Sequence, residues 1–474
     1  MKKILVCVIV LLQFLQASAR SNHGVGIHVR KLDVAHRAHF ARYHHAADAD
    51  IKSNTLRSNL MHRDTLQTGT TKSPSERFLN GVKRSHMRIN RLENHLIKQL
   101  GVESEAAGYS ESPVTASTGE YVMELSLGTP PQKFSTIVDT GSDLTWVQCS
   151  PCSVCFEQPN PLFDPRASST YSQTKCDNGL CKILQEGLFV QNCKGGNTCN
   201  YTYSYGDGSN TLGVLSLETV TLGSSSVPDV GIGCGHSNQG SFAGADGIVG
   251  LGQGSLSLPS QLKPSIAQIF SYCLVDLSST ASTSSPITFG DARENSDAKY
   301  TPLVANSLAP TYYYVGVEGI SVGRQKVEIP DSAFEISEMG SGGVILDSGT
   351  TITYWMSEAF TPMLAAFREQ ISYPETNAGS YFLDLCYDIS NAAADGSLNL
   401  PSMVVHFTDV DFEIPMPNLW VLVEDTGSVV CLAMAESEQF SIIGNIQQQN
   451  NLIVYDVVNQ RVGFKPVRCD GSNG

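Results

Sequence analysis

Short apolar runs separated by Gly, Pro and Ser dominate the chain beyond residue 118. Runs of this length between turn residues predict β-strands, so the sequence favours an all-β architecture with few helices. Two helices are nevertheless predicted, a short one around 257–262 and a longer one at 357–371 with Ser357 as its N-cap. The clearest predicted strands cover residues 121–127, 134–138, 215–222, 312–317 and 429–433.

The first 19 residues follow a different pattern. Lys2 and Lys3 precede an apolar run over residues 4–15, and Ala17-Ser18-Ala19 follows it. This order of charged, apolar and small residues predicts a secretory signal peptide, residues 1–19, cleaved after Ala19. The run is too short to span a bilayer, and no later segment predicts a membrane anchor. We therefore expect a secreted, extracellular protein, with vacuolar delivery as an alternative.

One helical pattern precedes the β region, between residues 76 and 100. A basic amphipathic helix can bind membranes or calmodulin. Between a signal peptide and an acidic body, it is more simply a prosegment helix that lies on that body, and residues 108–118 are the linker where cleavage would occur. The apolar positions recur at helical spacing: Phe78, Val82, Ile89, Leu92, Leu96 and Leu100. Basic residues occupy other faces: Arg77, Lys83, Arg84, Arg88 and Arg91.

The charge distribution separates a leader, residues 20–110, from a body. The leader contains 15 Lys and Arg, 8 Asp and Glu and 9 of the 11 histidines, whereas residues 111–474 contain 14 basic and 38 acidic residues. The net charge of the whole chain is −15, which argues against nucleic-acid binding because phosphates need a basic surface. We expect the leader to be a basic, His-rich propeptide that pairs with the acidic body.

Twelve cysteines remain once Cys7 leaves with the signal peptide, and an even number in an oxidising compartment predicts six disulfides. Seven of them fall in a Cys-rich insertion at 149–199, which begins Cys149-Ser-Pro-Cys152-Ser-Val-Cys155. That spacing could hold zinc, but the segment offers no histidine and the route is secretory, so we expect neither a metal nor a cofactor. A candidate glycosylation site, Asn200-Tyr-Thr202, lies inside a predicted strand.

An internal repeat divides the body into two halves. The motif Ile137-Val-Asp139-Thr-Gly141-Ser142 is echoed by Ile345-Leu-Asp347-Ser-Gly349-Thr350. Each motif is followed by an apolar-apolar-Gly triplet, at 248–250 and 442–444. We therefore predict two similar lobes, at 118–305 and 310–474, each of which contributes one Asp turn.

The paired motifs predict a specific chemistry. The apolar pair before each Asp places the strand in the core, and the following Gly lets the backbone turn tightly. Thr140 and Ser348 can then hydrogen-bond across the lobe interface and hold Asp139 and Asp347 close together. Two carboxylates in one site share a proton, so one can take a proton from water while the other protonates a scissile carbonyl. The expected reaction is direct hydrolysis of a peptide bond.

Short Asp-Thr-Gly motifs also mark ordinary turns, and Asp425-Thr-Gly-Ser428 is such a case. This motif lacks both the preceding apolar pair and the downstream triplet. It is therefore predicted to be a hairpin turn before the strand at 429–433.

A third element lies between the two Asp motifs. Tyr201, Tyr203 and Tyr205 alternate before Gly206-Asp-Gly-Ser209, which predicts a hairpin. Tyr201 and Tyr203 fit simple packing on one sheet face. Tyr205, at the tip, is placed to act as a movable lid over a cleft, and Trp146 is placed to steady its ring.

Together these motifs resemble the pepsin-like aspartic proteases over about residues 120–468. The resemblance implies an all-β, bilobal fold with two pseudo-twofold-related lobes and a few short helices. Asp143 and Asp207 depart from ordinary pepsins, but such carboxylates are familiar in the plant nepenthesin-like, or atypical, subgroup. Further stretches similar to that subgroup are His62-Arg63-Asp64, Gly119-Glu-Tyr-Val, Leu127-Gly-Thr-Pro-Pro131, Trp146-Val-Gln-Cys149-Ser-Pro-Cys152 and the Cys-rich insertion.

The resemblance implies a role for each site residue. Asp139 and Asp347 would be the catalytic pair and Tyr205 the flap tyrosine. The supporting turn residues would be Thr140, Gly141, Ser142, Ser348, Gly349 and Thr350. The implied disulfides are Cys149–Cys152, Cys155–Cys234, Cys176–Cys199, Cys181–Cys193, Cys273–Cys469 and Cys386–Cys431, a choice that the sequence alone does not make.

Two functional hypotheses follow. The first is a secreted acid endopeptidase, made as a zymogen with its own propeptide, that acts as a monomer on extended peptide or protein substrates. The second is a non-catalytic pepsin-fold binding or inhibitor protein, a use of the fold in plants that the resemblance implies. Such proteins generally lose part of the Asp pair or the flap, and both are intact in this sequence, which favours the enzyme.

Overall fold

The computed structural model describes residues 55–63, 73–99, 121–184, 189–193, 197–205, 208–240, 242, 244–276, 285–290, 295–392 and 398–470. All of them belong to one compact unit, Ser53–Gly474. The predicted signal peptide at 1–19, the predicted linker at 108–118 and Asp207 lie outside the described residues.

Strands make up most of the regular structure of the first half, and one further strand, β1, comes from the leader. They are β1 (Leu56–His62), β2 (Tyr121–Leu127), β3 (Gln132–Asp139), β4 (Trp146–Gln148), β5 (Ser172–Gln173), β6 (Phe189–Asn192), β7 (Asn200–Ser204), β8 (Asn210–Leu222), β9 (Ser225–Gln239), β10 (Gly247–Gly250), β11 (Ile269–Cys273), β12 (Ser285–Phe289) and β13 (Lys299–Val304).

The second half is built in the same way. Its strands are β14 (Tyr313–Val315), β15 (Val317–Val322), β16 (Gln325–Lys326), β17 (Val344–Leu346), β18 (Thr353–Met356), β19 (Glu375–Thr376), β20 (Cys386–Asp388), β21 (Met403–Phe407), β22 (Val410–Ile414), β23 (Trp420–Leu422), β24 (Val429–Leu432), β25 (Met434–Ser437), β26 (Ser441–Ile443), β27 (Asn451–Asp456) and β28 (Arg461–Pro466).

The α-helices of the described residues are short, apart from one in the leader and one in the second half. They are α1 (Pro74–Gln99), α2 (Gly179–Ile183), α3 (Leu258–Gln261), α4 (Lys263–Ile266), α5 (Ser357–Gln370), α6 (Met416–Leu419) and α7 (Asn445–Gln448). The all-β architecture with few helices that the sequence predicts is therefore confirmed.

The patterns of burial explain these elements. In β22 the residues alternate strictly between buried and exposed, which is the period-two pattern of a strand with one face on the core. In α5 the buried residues Phe360, Met363, Leu364 and Phe367 recur at helical spacing on one face. The prediction that Ser357 caps this helix was wrong, because α5 begins at Ser357 and the Ser357 hydroxyl bonds to the Glu436 carboxylate instead.

The largest sheet joins the two halves and the leader. β1 pairs with β2 on one edge and with β12 on the other, and β12 continues through β11 to β27 and β28. The C-terminal strands therefore lie beside strands from the first half. Two four-stranded sheets, β16-β15-β21-β22 and β19-β20-β24-β23, complete the second half.

The sequence repeat appears as a structural repeat. β3, which ends at Asp139, pairs in parallel with β10, and Asp139 lies opposite Gly250. β17, which ends just before Asp347, pairs in parallel with β26, and Ile345 lies opposite Ile442. Each Asp turn therefore follows a buried strand whose neighbour is the apolar-apolar-Gly segment of the same half.

Six disulfides join the twelve cysteines of the described residues. Cys273–Cys469 and Cys386–Cys431 are among them, the same two pairs that the resemblance implies. The other four implied pairs, Cys149–Cys152, Cys155–Cys234, Cys176–Cys199 and Cys181–Cys193, are corrected by the structure. The observed bonds are Cys149–Cys234, Cys152–Cys155, Cys176–Cys193 and Cys181–Cys199.

Strand pairing and burial account for the corrected disulfides. β4 pairs in parallel with β9, which places Cys149, one residue past β4, beside Cys234. In the insertion, α2 and the segment before β7 are both packed on the core, so the fully buried Cys181 meets the fully buried Cys199. The half-buried Cys176 and Cys193 are left to pair with each other at the periphery.

Candidate active site

Asp139 and Asp347 end up buried at the same point of the molecule, each held by its own turn. The Gly141 N–H donates to Asp139 Oδ1 at 3.1 Å, and the Ser142 hydroxyl donates to Asp139 Oδ2 at 2.6 Å. Asp139 is only 1% exposed. One carboxylate oxygen is thus held by the backbone and the other by a side chain.

The second turn repeats the first in detail. The Gly349 N–H donates to Asp347 Oδ1 at 2.9 Å, and the Thr350 hydroxyl donates to Asp347 Oδ2 at 2.6 Å. Asp347 is also 1% exposed. The two carboxylates therefore have equivalent hydrogen-bond partners, as expected for a pseudo-twofold arrangement.

Thr140 and Ser348 lock the two turns together. The Thr140 N–H donates to Ser348 Oγ at 3.2 Å, and the Ser348 N–H donates to Thr140 Oγ1 at 2.9 Å. Each hydroxyl in turn donates to a carbonyl of the opposite half, Thr140 to Leu346 and Ser348 to Val138. These four buried hydrogen bonds fix the separation and orientation of the turns.

The glycines of the two turns allow the carboxylates to approach. A Cβ at position 349 would lie 2.3 Å from Asp139 Oδ1, and a Cβ at position 141 would lie 3.0 Å from Asp347 Oδ1. A contact of 2.3 Å is too short for any side chain. Gly349 is therefore required because the carboxylate of the other half lies directly against its backbone.

Arg88 of the leader helix α1 lies between the two carboxylates. Its Nη2 is 2.9 Å from Asp139 Oδ1 and 3.0 Å from Asp347 Oδ2, and the Arg88 side chain is only 4% exposed. Burial alone would lower the pKa of Arg88, but the two carboxylates outweigh it and raise that pKa above its ordinary value. The guanidinium is therefore a permanent cation at this site.

The electrostatics distinguish Asp347 from an ordinary surface aspartate. Burial raises the pKa of Asp347, and the nearby charge of Asp139 raises it further. Arg88 and the hydrogen bonds from Thr350 and Gly349 oppose this shift without cancelling it. Asp347 is consequently a carboxyl that takes up a proton more readily than a solvent-exposed aspartate.

The sequence predicts that α1 lies on the acidic body and that its basic residues occupy faces other than the apolar one. It did not predict that Arg88 would lie between the two carboxylates. A signal was present in the spacing. Arg77, Arg84 and Arg88 are seven and four residues apart, so they share one helix face, and all three are buried. A buried basic stripe on a helix indicates that carboxylates face it.

The rest of α1 fills the cleft on the side of the second half. Phe78, Val82 and Ile89 pack in a buried cluster that includes Ile345 and Tyr354. The Thr351 N–H donates to the Ser85 hydroxyl oxygen at 2.7 Å. α1 therefore combines apolar burial with direct contacts to the residues next to Asp347.

The predicted hairpin forms from β7 and β8, and Tyr205 lies at its tip. The indole N–H of Trp146 donates to the Tyr205 hydroxyl at 2.6 Å, and Tyr205 is only 6% exposed. Tyr201 and Tyr203 are buried beside it in the same apolar cluster. Trp146 thus anchors Tyr205 through a hydrogen bond. The sequence predicted a contact between these two residues but not the hydrogen bond.

Asp143 connects the first Asp turn to the segment between the halves. Its Oδ1 accepts from the Gly254 N–H at 2.9 Å, and its Oδ2 accepts from the Thr311 hydroxyl at 2.8 Å. Burial raises the pKa of Asp143 from 3.8 to about 6, against the effect of both hydrogen bonds. The side chain therefore links position 143 to a residue just before β14.

The remaining sequence candidates lie away from this centre. Asp425 is exposed in a surface turn, where the Gly427 N–H donates to the Glu424 carbonyl. Asn200 begins β7, is half-buried and lies between β6 and β8. Among the described residues, the one group of side chains close enough to share a metal ion is Cys176, Cys181 and Cys193, and all three sulfurs are in disulfides.

Comparisons with known proteins agree with this geometry. The family model described as "Xylanase inhibitor N-terminal" matches residues 121–291, and the one described as "Xylanase inhibitor C-terminal" matches residues 312–466. Aspartic proteinase nepenthesin-1 of Nepenthes gracilis is 42% identical over 82% of this chain and 86% of its own length. Aspartic proteinase nepenthesin-2 of the same plant is 38% identical over 89% and 95%.

A solved structure shows the same fold. Basic 7S globulin from soybean superposes with a TM-score of 0.59 at 21% identity, over 74% of this chain and 95% of that one. The curated relatives are aspartic proteinases, so this chain belongs to the class of aspartic-type endopeptidases. This chain belongs to the pepsin-like aspartic protease family, in its plant nepenthesin-like subgroup. Its substrates are accordingly peptides or proteins.

Within the described ranges, no helix has both the length and the apolar character that a bilayer span requires.

Asp143→Asn is expected to stabilise the protein at neutral pH and to change little near pH 4. Because the pKa of Asp143 is raised from 3.8 to about 6, the folded chain binds this proton more tightly than the unfolded chain does. The free energy of unfolding therefore falls as pH rises from about 4 to about 6, by about 3 kcal/mol in all. Asparagine keeps an acceptor for Gly254 and offers Thr311 a donor without the charge.

Thermal unfolding from pH 4 to 7.5 measures this effect, in a background that carries Asp347→Asn to prevent self-cleavage. Asp331→Asn, at an exposed aspartate, is the control and should change the unfolding temperature equally little at every pH. A stabilisation by Asp143→Asn that does not depend on pH, or no stabilisation at pH 7.5, would contradict the expected titration.

Proposed function

We propose that the protein is a secreted acid endopeptidase, made as an inactive precursor, in which Asp139 and Asp347 activate a water molecule. The observation that carries this proposal is the pair of equivalent carboxylates, locked by Thr140 and Ser348 and bridged by a cation from the leader. Carboxylates held this close share a proton over an acid range, because a second negative charge is costly in a buried site.

The reaction follows from that shared proton. Once Arg88 has left, one carboxylate is ionised and accepts a proton from water, while the other is protonated and donates to the oxygen of the scissile carbonyl. The raised pKa of Asp347 makes it the group that takes up the first proton as the pH falls. Water then adds to the carbonyl carbon, and transfer of a proton to the amide nitrogen releases the new amine. The peptide bond breaks without an enzyme-bound covalent intermediate.

The hairpin tip is proposed to close over the substrate. Tyr205 and Trp146 are joined by a short hydrogen bond on the side of the first half, opposite the cluster that α1 fills. An extended peptide between these two walls would be covered on one side by the β7–β8 hairpin. Closure of such a lid excludes water and holds the scissile bond near the carboxylates.

The leader is proposed to be an inhibitory propeptide. α1 occupies the cleft with Phe78, Val82 and Ile89 against the second half, and Arg88 neutralises the two carboxylates that the reaction needs. A substrate cannot reach Asp139 or Asp347 while the helix is in place. The precursor is therefore expected to be inactive at neutral pH.

Acid is proposed to release the leader. The ion pair of Arg88 stabilises the closed form while the carboxylates are ionised, so it weakens as the pH falls and Asp347, whose pKa is raised by burial, takes up a proton. At the edge of the helix, His86 Nε2 lies 2.6 Å from the Phe382 carbonyl and near Asp384. Burial raises the pKa of Asp384, so this carboxylate loses its negative charge beside the helix early as the pH falls. The His-rich leader is proposed to gain positive charge as the pH falls, which adds repulsion within it.

Secretion is proposed from the predicted signal peptide at 1–19, and six disulfides support an oxidising compartment. A monomer is proposed because both Asp turns come from one chain. Extracellular release and vacuolar delivery remain alternatives that localisation of a tagged chain would separate.

Casein digestion separates the enzyme from a non-catalytic binding protein of the same fold. We expect the purified precursor to be silent at pH 7, to lose its leader at about pH 3.5, near the ordinary carboxyl pKa values, and then to cleave casein. A statine-type mimic of the transition state should block that cleavage. Loss of the leader with no cleavage of casein or of a peptide library would favour the binding protein.

A further inference from the structure

A carboxylate-binding loop, Ser437-Glu438-Gln439, lies at the end of β25. The Glu438 N–H donates to Glu93 Oε1 at 2.6 Å, and the Gln439 N–H donates to the same oxygen at 3.2 Å. The Ser437 hydroxyl lies 2.8 Å from that oxygen, and the carbonyl of Phe440 is a second acceptor within its reach at 2.6 Å. Successive backbone N–H groups that converge on one point form an anion-binding nest.

The second half holds this loop in shape without help from the leader. The Gly342 N–H donates to the Gln439 carbonyl at 2.7 Å, and the Ser441 N–H donates to the Gly343 carbonyl at 2.9 Å. The Ser437 side chain is almost fully buried, and Phe440 is buried beside it. The donors are thus already oriented when Glu93 is removed, which lowers the cost of binding another carboxylate.

The loop lies at the start of the strand that leads to Asp347. It leads directly into β26, and β26 pairs with β17 so that Ile442 lies opposite Ile345. Glu93 is five residues beyond Arg88 on α1, which corresponds to about 7.5 Å along the helix axis. The two side chains also point about 140° apart around the helix axis, so their ends are farther apart than this rise. An extended substrate therefore needs at least two residues to cover the distance, at roughly 3.3 Å per residue.

We propose that this loop is a subsite of the mature protease that binds a glutamate side chain of the substrate, at least two residues from the scissile bond. Glu93 of the leader fills the same subsite in the precursor. The inference rests on the proposed function, since it needs a mature enzyme from which α1 has departed. It adds a chemical class of substrate, an acidic peptide, to a cleft that is otherwise lined by apolar residues.

Neighbouring charges limit the strength of this selection. Exposed Glu436 precedes the loop and the exposed side chain of Glu438 belongs to it. Asp384 lies close enough to Glu436 for their charges to interact, whereas Arg368 provides a positive charge near Asp384. The three carboxylates repel an incoming anion, so the directed N–H groups must supply the preference. Such charge-assisted hydrogen bonds are strong enough to leave a preference of about tenfold for glutamate over glutamine.

Matched peptides test the subsite. The acid-activated enzyme would cleave a fluorogenic peptide with glutamine at each of four positions on either side of the scissile bond, compared with the same peptide carrying glutamate there. At pH 5 we expect one position, at least two residues from the bond, to give about a tenfold higher kcat/KM for glutamate. At pH 3 the preference should fall below about twofold, because glutamate is then mostly protonated.

Variants of the loop identify the donors. Ser437→Ala should reduce the preference to about threefold, and Glu438→Pro, which removes the closest N–H, should abolish it. The far-UV circular dichroism spectrum and the thermal unfolding transition of both variants should match those of the parent enzyme, which shows that they are folded. Ser332→Ala, at an exposed serine of the same half, should retain the full preference.

The outcomes separate this inference from the proposed function. If no peptide is cleaved at any pH, the proposed function fails. If all peptides are cleaved but no position prefers glutamate at pH 5, the subsite is overturned and the protease stands. Faster activation of a Glu93→Gln precursor combined with no glutamate preference would assign the loop to holding the leader alone and would also overturn it.

Discussion

Replacing Asp139 or Asp347 by asparagine is expected to lower the kcat/KM of the mature protease by about 10³-fold or more. An amide keeps the acceptor for the Gly141 or Gly349 N–H, so the turn is preserved. It cannot accept a proton from water or carry the shared proton, and general acid–base catalysis of this kind is worth about 10²- to 10⁴-fold. The loss should therefore appear in kcat rather than in KM.

Trace tagged wild-type enzyme would process each variant in trans and would then be removed, since the variants cannot process themselves. The chain supplies its own matched control, because Asp425 belongs to an identical Asp-Thr-Gly-Ser motif but is exposed in a surface turn. Asp425→Asn should retain activity within about twofold. Activity above a tenth of the parent value in either Asp139→Asn or Asp347→Asn would overturn the assignment of the pair.

Replacing Arg88 by methionine is expected to make the precursor active at pH 6, where the parent precursor is silent. Methionine keeps the apolar stem but leaves two buried carboxylates without their cation. Breaking a buried ion pair costs about 3–5 kcal/mol, so the fraction of molecules with an open cleft should rise by about 10²-fold or more. At pH 3 the difference should shrink, because Asp347, whose pKa is raised by burial, then carries a proton in both proteins and its ion pair with Arg88 is lost.

Cleavage of a quenched fluorescent peptide by the intact precursor measures this opening. Lys83→Met is the matched control, because Lys83 is an exposed cation of the same helix whose Nζ lies 5.2 Å from the centroid of the Phe382 ring, and it should leave the precursor silent. Adding Asp347→Asn to Arg88→Met should abolish the new activity, which excludes a contaminating protease. An Arg88→Met precursor that folds and remains silent at pH 6 would show that the buried apolar face of α1 is sufficient for inhibition.

The sequence predicts the Asp turns well because their determinants are local. An apolar pair, an Asp, a small hydroxyl residue and Gly specify a buried strand and a tight turn within six residues, and the second copy fixes the pairing. The contacts of Thr140 with Ser348 follow from the repeat alone. The all-β fold is predictable for a similar reason, because each strand and each turn is determined by the residues of a short sequence segment.

The features that were missed depend on contacts between distant residues. Arg88 forms ion pairs with Asp139 and Asp347, which are 51 and 259 residues away, and no residue near Arg88 in the sequence identifies these partners. Cys149 bonds to Cys234 because β4 pairs with β9 across 85 residues, whereas its near neighbour Cys152 would have seemed the simpler partner. Asp143 is visible as an unusual carboxylate, but its link to Thr311 is set by the meeting of the halves.

Because β1 is bonded along both edges, to β2 and to β12, hydrolysis of the chain after α1 does not by itself free the leader. Scission and departure are separate events, and the second requires peeling one strand out of a continuous sheet. A freshly nicked molecule should consequently migrate as a single particle on gel filtration and as two polypeptides on a denaturing gel.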